Sequence, residues 1–179
     1  MLPTTGLTRG VPNPRFFKFA DRLRRARRDA GLHAAGLCRA AGLSKSAVLR
    51  LEIGPGLPTL PTVEKLARAL GLAPGWLAFG LGDIAAAPAG DELLCRGLAE
   101  RERAVRAERG LSALGLAKVA GLTDGAIRSV ESGRQPSLAT LEAIATALQV
   151  SPAWLAYREG PRELPRRGRV MQPEHALAP

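Results

Sequence analysis

From Arg15 onward, apolar residues recur at the three-to-four-residue spacing of amphipathic helices. RFFKFADRLRRARRDAG puts Phe16, Phe19, Leu23 and Ala26 on one side and ends on Gly31, which predicts a helix of about four turns with a basic outer face. Two shorter helices follow, His33–Ala41 and Ser44–Glu52, joined by the turn Gly42-Leu43-Ser44. In that turn Gly42 supplies a left-handed residue, Leu43 points back to the core and Ser44 offers a helix cap. Leu37, Ala41, Val48 and Leu51 then fall inward, while Lys45, Ser46, Leu49 and Arg50 fall outward. Gly54, Pro55, Gly56 and Pro58 force a loop. Thr62–Leu70 reads as another amphipathic helix, and Pro74 opens a last short one carrying Trp76, Leu77 and Phe79.

The whole pattern is then repeated. Gly31-Leu32, Gly36-Leu37, Gly42-Leu43-Ser44 and Glu52 return 79 positions later as Gly110-Leu111, Gly115-Leu116, Gly121-Leu122-Thr123 and Glu131. Beyond the loop, which is one residue longer in the first copy, TVEKLARALGLAPGWLA returns at an offset of 78 as TLEAIATALQVSPAWLA. The organisation expected is a flexible arm (residues 1–14), a first helical domain (15–83), a linker (84–90), a second helical domain (91–160) and a basic, Pro- and Arg-rich disordered tail (161–179). Linker residues could instead extend the helix Asp91–Arg109. The fold class is all-α, two tandem five-helix domains.

Composition narrows the partners. A net charge of +10 on 179 residues points first to nucleic acid and second to an anionic membrane surface. That charge is unevenly shared: residues 17–80 hold eleven Lys/Arg against four Asp/Glu, while residues 91–160 hold nine of each. Because phosphate neutralisation supplies most nonspecific affinity, the first copy is the better candidate for gripping DNA. Cys38 and Cys95 have no CxxC neighbour, so neither a disulfide framework nor a zinc site is expected, and Cys38 reads as a small buried residue between the motif helices. The uncharged run Ala69–Gly82 is too short and too rich in Gly and Pro to span a bilayer. With no signal-peptide pattern, a cytoplasmic, nucleoid-associated location is the expectation.

With its copies aligned, the chain resembles the phage repressor and Cro family of helix-turn-helix domains, also called the XRE type. The resemblance rests on the Gly-Leu turn before the motif, the Gly-Leu-Ser/Thr turn inside it, the closing Glu52 and Glu131, the LA-x-AL helix and the terminal P-x-WLA. It implies repressor-like five-helix domains that place Ser44–Glu52 in a major groove of double-stranded DNA. It also implies structural ion pairs between the first and third helices, Arg27 with Glu52 and Arg106 with Glu131.

Carried over by position, Lys45, Ser46 and Arg50 become base-edge readers, with Ser44 and Arg39 beside phosphates. The corresponding set in the second copy is Thr123, Asp124, Gly125, Arg128 and Ser129, with Lys118 and Arg134 as phosphate contacts. Asp124 there should repel the duplex, although it can accept from cytosine. The family's frequent Gln at the start of the second helix is replaced by Ala34 and Ala113. Gly36 and Gly115 weaken those helices by about 1 kcal/mol each relative to Ala, unless another surface approaches them closely. Arg22, Arg24, Arg25 and Arg28 form either a solvated face or a DNA contact. Trp76 and Trp154 are expected to plug their own domains; the alternative is a contact between copies or between chains. Copies packed about a pseudo-twofold would present two recognition helices one DNA turn apart, about 34 Å.

The function expected is a sequence-specific transcriptional regulator whose second domain is an auxiliary DNA-binding, dimerisation or partner module. The alternative is a protein-interaction module, antitoxin-like or antiactivator, on the same scaffold, with a homodimer or protein partner meeting the second domain or the terminal helices. An enzyme is not expected: the chain has only His33 and His175, with no nucleophile motif, metal-ligand cluster or nucleotide-binding loop. No cofactor and no membrane partner are implied. His33 reads as a surface cap.

Overall fold

A computed structural model describes residues 14–53, 57–85 and 93–163 of the chain, with side chains from Phe19 onward. The arm, most of the linker, loop residues 54–56, Phe16, His175 and the tail beyond residue 163 lie outside the described residues and side chains.

The described residues are helical. The first copy contains α1 (Pro14–Asp29), α2 (Ala34–Ala40), α3 (Ala47–Ile53), α4 (Leu60–Leu70) and α5 (Pro74–Phe79). After a 3-10 turn at Leu94–Gly97, the second contains α6 (Leu98–Glu108), α7 (Ala113–Ala120), α8 (Asp124–Glu131), α9 (Leu138–Ala147) and α10 (Pro152–Tyr157). Of the expected helix Asp91–Arg109, residues 98–108 are helical as α6 and residues 94–97 form the turn that feeds it, while residues 91 and 92 lie outside the described residues. Phe19, Leu23, Leu37, Val48 and their fellows are buried as their spacing requires, with Ala26 half-buried and Cys38 only 1% exposed. Val48 N–H donates to the Cys38 sulfur at 3.5 Å, tying α3 to α2.

Both motif turns close in the same way. Gly42 (φ +63°) and Gly121 (φ +65°) take the left-handed conformation, and the next amide bonds back to the helix, Leu43 to Cys38 O and Leu122 to Ala117 O, each at 2.8 Å. A Cβ on Gly36 would meet only Leu32 Cδ2, at 3.8 Å, so no close approach explains that glycine.

The copies are joined face to face. Thr59 and Ser137, which occupy the same position in the two copies, pair in an isolated antiparallel bridge, and α5 packs on α10. At that contact a Cβ on Gly75 would lie 2.8 Å from the Cβ of Ala153, its own counterpart. Tyr157, 1% exposed, donates from its hydroxyl to Leu60 O (3.3 Å), and Glu159 accepts from Gly75 N–H (2.6 Å). Glu64, fully buried, accepts from Leu94 N–H (2.7 Å), Cys95 N–H (3.2 Å) and Arg68 (3.1 Å). Burial pushes the Cys95 thiol up to about 12, so it stays protonated and inert. The buried side chains of both copies form one continuous cluster across this joint.

The terminal tryptophans, Trp76 and Trp154, are half-buried and pack against the buried core, and Arg162 stacks over the Trp154 ring at 5.1 Å from its centroid. Their helices pack both on their own domain, α5 on α1 and α4 and α10 on α6 and α9, and on each other across the joint. After each terminal helix the chain folds back: Ala73 N–H donates to Ile84 O, and Ser151 N–H to Arg162 O.

Candidate nucleic-acid interface

α3 is shorter than the sequence pattern predicts. Ser44, Lys45 and Ser46 form a turn and the helix begins at Ala47, whereas α8 begins at Asp124, the counterpart of Lys45. The reason lies in the caps. Thr123 Oγ1 accepts from Ala126 N–H at 3.2 Å, but the Ser44 hydroxyl instead contacts Arg50 NH2 at 3.5 Å. His33 occupies the N-cap position of α2 without a side-chain cap bond, while its counterpart Ser112 accepts from Gly115 N–H at 3.0 Å.

Ser44, Lys45, Ser46, Leu49 and Arg50 are all exposed, as is Arg39 on α2, while Val48 and Glu52 are buried beneath them. The exposed residues of the first motif thus include three cations, two hydroxyls and the apolar Leu49. That combination can donate to guanine edges and phosphates and pack on a thymine methyl.

The second copy presents a different face. Lys118, Thr123, Gly125, Arg128 and Arg134 are exposed, but Asp124 and Ser129 are half-buried. Arg128 Nε donates to Asp124 Oδ2 at 2.6 Å, one helical turn away, and that bond raises the affinity of Arg128 for its proton. The cation of this recognition helix is thus met by its own carboxylate. Leu114 and Val119 are exposed on α7, where the first copy carries Ala35 and Ala40.

Behind each recognition helix stands an arginine bracket. Arg27 donates to both oxygens of Glu52, at 2.7 and 2.9 Å, and to Leu32 O at 2.8 Å; the bond to Glu52 raises its pKa above the ordinary arginine value. Arg106 donates to one oxygen of Glu131 and to Leu111 O, while its Nε faces Glu102. The bidentate pair and its single-bonded counterpart set α3 against α1 and α8 against α6.

Four further arginines hold the scaffold. Arg22 donates to Leu77 O (2.9 Å) and Ala78 O (2.7 Å), and Arg101 to Leu155 O (2.7 Å) and Ala156 O (2.5 Å), bracing the first helix of each copy against its last. Arg24 and Arg103 donate to the carbonyls of Glu52 and Glu131. Arg22 and Arg24 are thus neither a simply solvated face nor free for DNA, unlike the exposed Arg25 and Arg28. The signal was present in the repeat: both positions keep Arg at the offset of 79.

Glu102 escaped notice altogether. It is fully buried where the first copy has Leu23, with its Oε1 3.3 Å from Arg106 Nε and neither oxygen accepting a hydrogen bond. Burial and the neighbouring Glu131 push its carboxyl up to about 7.

Among the described residues no helix is long and apolar enough to cross a membrane, and no cluster of His, Cys, Asp or Glu is placed to hold a metal ion. Residues 18–77 match the family described as Helix-turn-helix domain, and residues 103–155 that described as Helix-turn-helix. The chain thus carries two helix-turn-helix domains of the XRE type in tandem. Among solved structures it is similar to a transcriptional regulator of the HTH_3 family from Vibrio cholerae, at 25% identity and a TM-score of 0.34. The match covers 35% of each chain, about a third of that protein's length.

Proposed function

We propose that the protein is a sequence-specific transcriptional regulator that lays residues 44–52 into a major groove of double-stranded DNA. The observation carrying this is the outer face of the first motif, where Lys45 and Ser46 in the turn before α3 and Arg50 on α3 stand exposed, the helix being anchored from behind by Val48 and the Arg27–Glu52 bracket. Arg39, exposed on α2, is the phosphate contact of this reading. Selection of bound duplexes from a random DNA pool tests it. Arg50→Ala should relax base preference, while Arg39→Ala should weaken all duplexes alike and lower the salt slope by about 1. Equal affinity for selected and scrambled duplexes at moderate salt would defeat the proposal.

A second reading is favoured by one feature of the other copy. Its recognition helix neutralises its own cation through Asp124–Arg128, and Leu114 and Val119 stand exposed beside it. Those properties suit a protein partner of the second domain. That reading requires a stoichiometric partner that survives nuclease treatment and is lost when Leu114 and Val119 are both changed to Glu; retention despite the change counts against it.

A further inference from the structure

The contact between copies has the form of a homodimer interface enclosed in one chain. Equivalent residues meet at it: Thr59 with Ser137, α5 with α10, and Gly75 with Ala153. Equivalents meet along a rotation axis, and the antiparallel sense of the Thr59–Ser137 bridge sets that rotation near 180°, so the two copies are related by a pseudo-twofold. Rotation by 180° preserves every component along its axis. Consequently α3 and α8 present their outer faces toward the same end of the axis to the same degree. Each helix also ends near it along the chain, Thr59 being six positions after Ile53 and Ser137 six after Glu131. At a maximum of about 3.6 Å per residue, each helix end lies within roughly 22 Å of the bridge, a span that accommodates the ~34 Å between successive major grooves on one duplex face.

The joint is not self-complementary. Tyr157 supplies a hydroxyl that its counterpart Phe79 lacks, and Glu159 supplies a carboxylate where the first copy has Leu81. Gly75 leaves room for Ala153, whereas two second copies would set alanine against alanine at the axis. First copy with second is therefore the pairing these residues favour.

We infer that a single polypeptide is the complete DNA-binding unit and occupies two half-sites of unequal stringency on one face of a duplex. This rests on the DNA-binding reading above. The first half-site is read through Lys45, Ser46 and Arg50. The second is held with little base discrimination, because Arg128 is already bonded to Asp124. The operator is accordingly asymmetric, a stringent block and a degenerate block with centres about 10 base pairs apart.

The test uses the full chain and the duplex it recovers most strongly from a random pool, with stoichiometry read by native mass spectrometry. The expected result is one chain per duplex and two sequence blocks one turn apart. Arg50→Ala should cut discrimination in the stringent block by roughly 5- to 150-fold, the range for a lost bidentate contact, without altering the degenerate block. Asp124→Ala, which frees Arg128, should sharpen the degenerate block alone. Two chains on a symmetric palindrome, or one chain protecting a single block, would overturn the inference while leaving the DNA-binding reading intact. Recovery of no preferred duplex would remove both.

Discussion

Thr59 and Ser137 occupy the same position in two copies of one fold, and they face each other across an antiparallel bridge. Around that pair the chain becomes one body, with α5 and α10 sharing a core and Tyr157 reaching Leu60 across the axis. The tightest point is Gly75, where any side chain would strike Ala153 and the Glu159 carboxylate.

Gly75→Leu should therefore open the joint while leaving each copy's own helices intact. Overpacking of this kind costs typically 1–3 kcal/mol. Differential scanning calorimetry should show the single transition of the wild type separating into two, with helical content by circular dichroism nearly unchanged. A single transition at the wild-type temperature would show that the joint tolerates the volume.

The Arg27–Glu52 bracket makes a contrasting prediction about single and paired changes. Glu52 is 7% exposed, so Arg27→Ala strands a buried carboxylate and should cost about 3–5 kcal/mol. Arg27→Met combined with Glu52→Leu should recover much of that loss, because both charges go together. Arg25→Ala and Arg28→Ala, at exposed positions on the same helix, should stay within about 0.5 kcal/mol. Urea denaturation of the four proteins measures all of it.

Glu102 gives the protein a pH dependence. Its carboxyl is pushed up to about 7 by burial and by Glu131, against Arg106 and Arg103, which pull the other way. Near pH 4 both folded and unfolded chains hold this proton. As the pH rises from about 4.5 toward 7, the unfolded chain releases it and the fold retains it, so stability falls with rising pH across that window and levels off above it. Glu159, raised to about 6 by burial, adds a smaller part in the same direction. Urea midpoints at pH 5, 6, 7 and 8 should decline for the wild type. Glu102→Leu, which installs the residue the first copy has at Leu23, should flatten most of that decline. Parallel curves for the two proteins would remove Glu102 as its source.

Much of the site was legible in the residues themselves. The apolar period located the helices, the Gly-Leu-Ser and Gly-Leu-Thr turns located the motifs, and the repeat doubled every inference, because local spacing decides which side chains share a face. The outward position of Lys45, Ser46 and Arg50 followed from that spacing. The start of α3 did not, since whether Ser44 caps the helix or meets Arg50 depends on rotamers that composition leaves free.

The sequence by itself thus determined two helical domains, their turns, the charge imbalance between them and which residues each recognition helix turns outward. Only the tertiary structure decided that Arg22 and Arg24 spend their charge on carbonyls, that Glu102 is enclosed beside Arg106, that Asp124 holds Arg128, and that the terminal helices bind the copies to each other. The reason is physical. A helical period specifies a face, but what meets that face is fixed by packing between segments some eighty residues apart, and no local pattern encodes the partner.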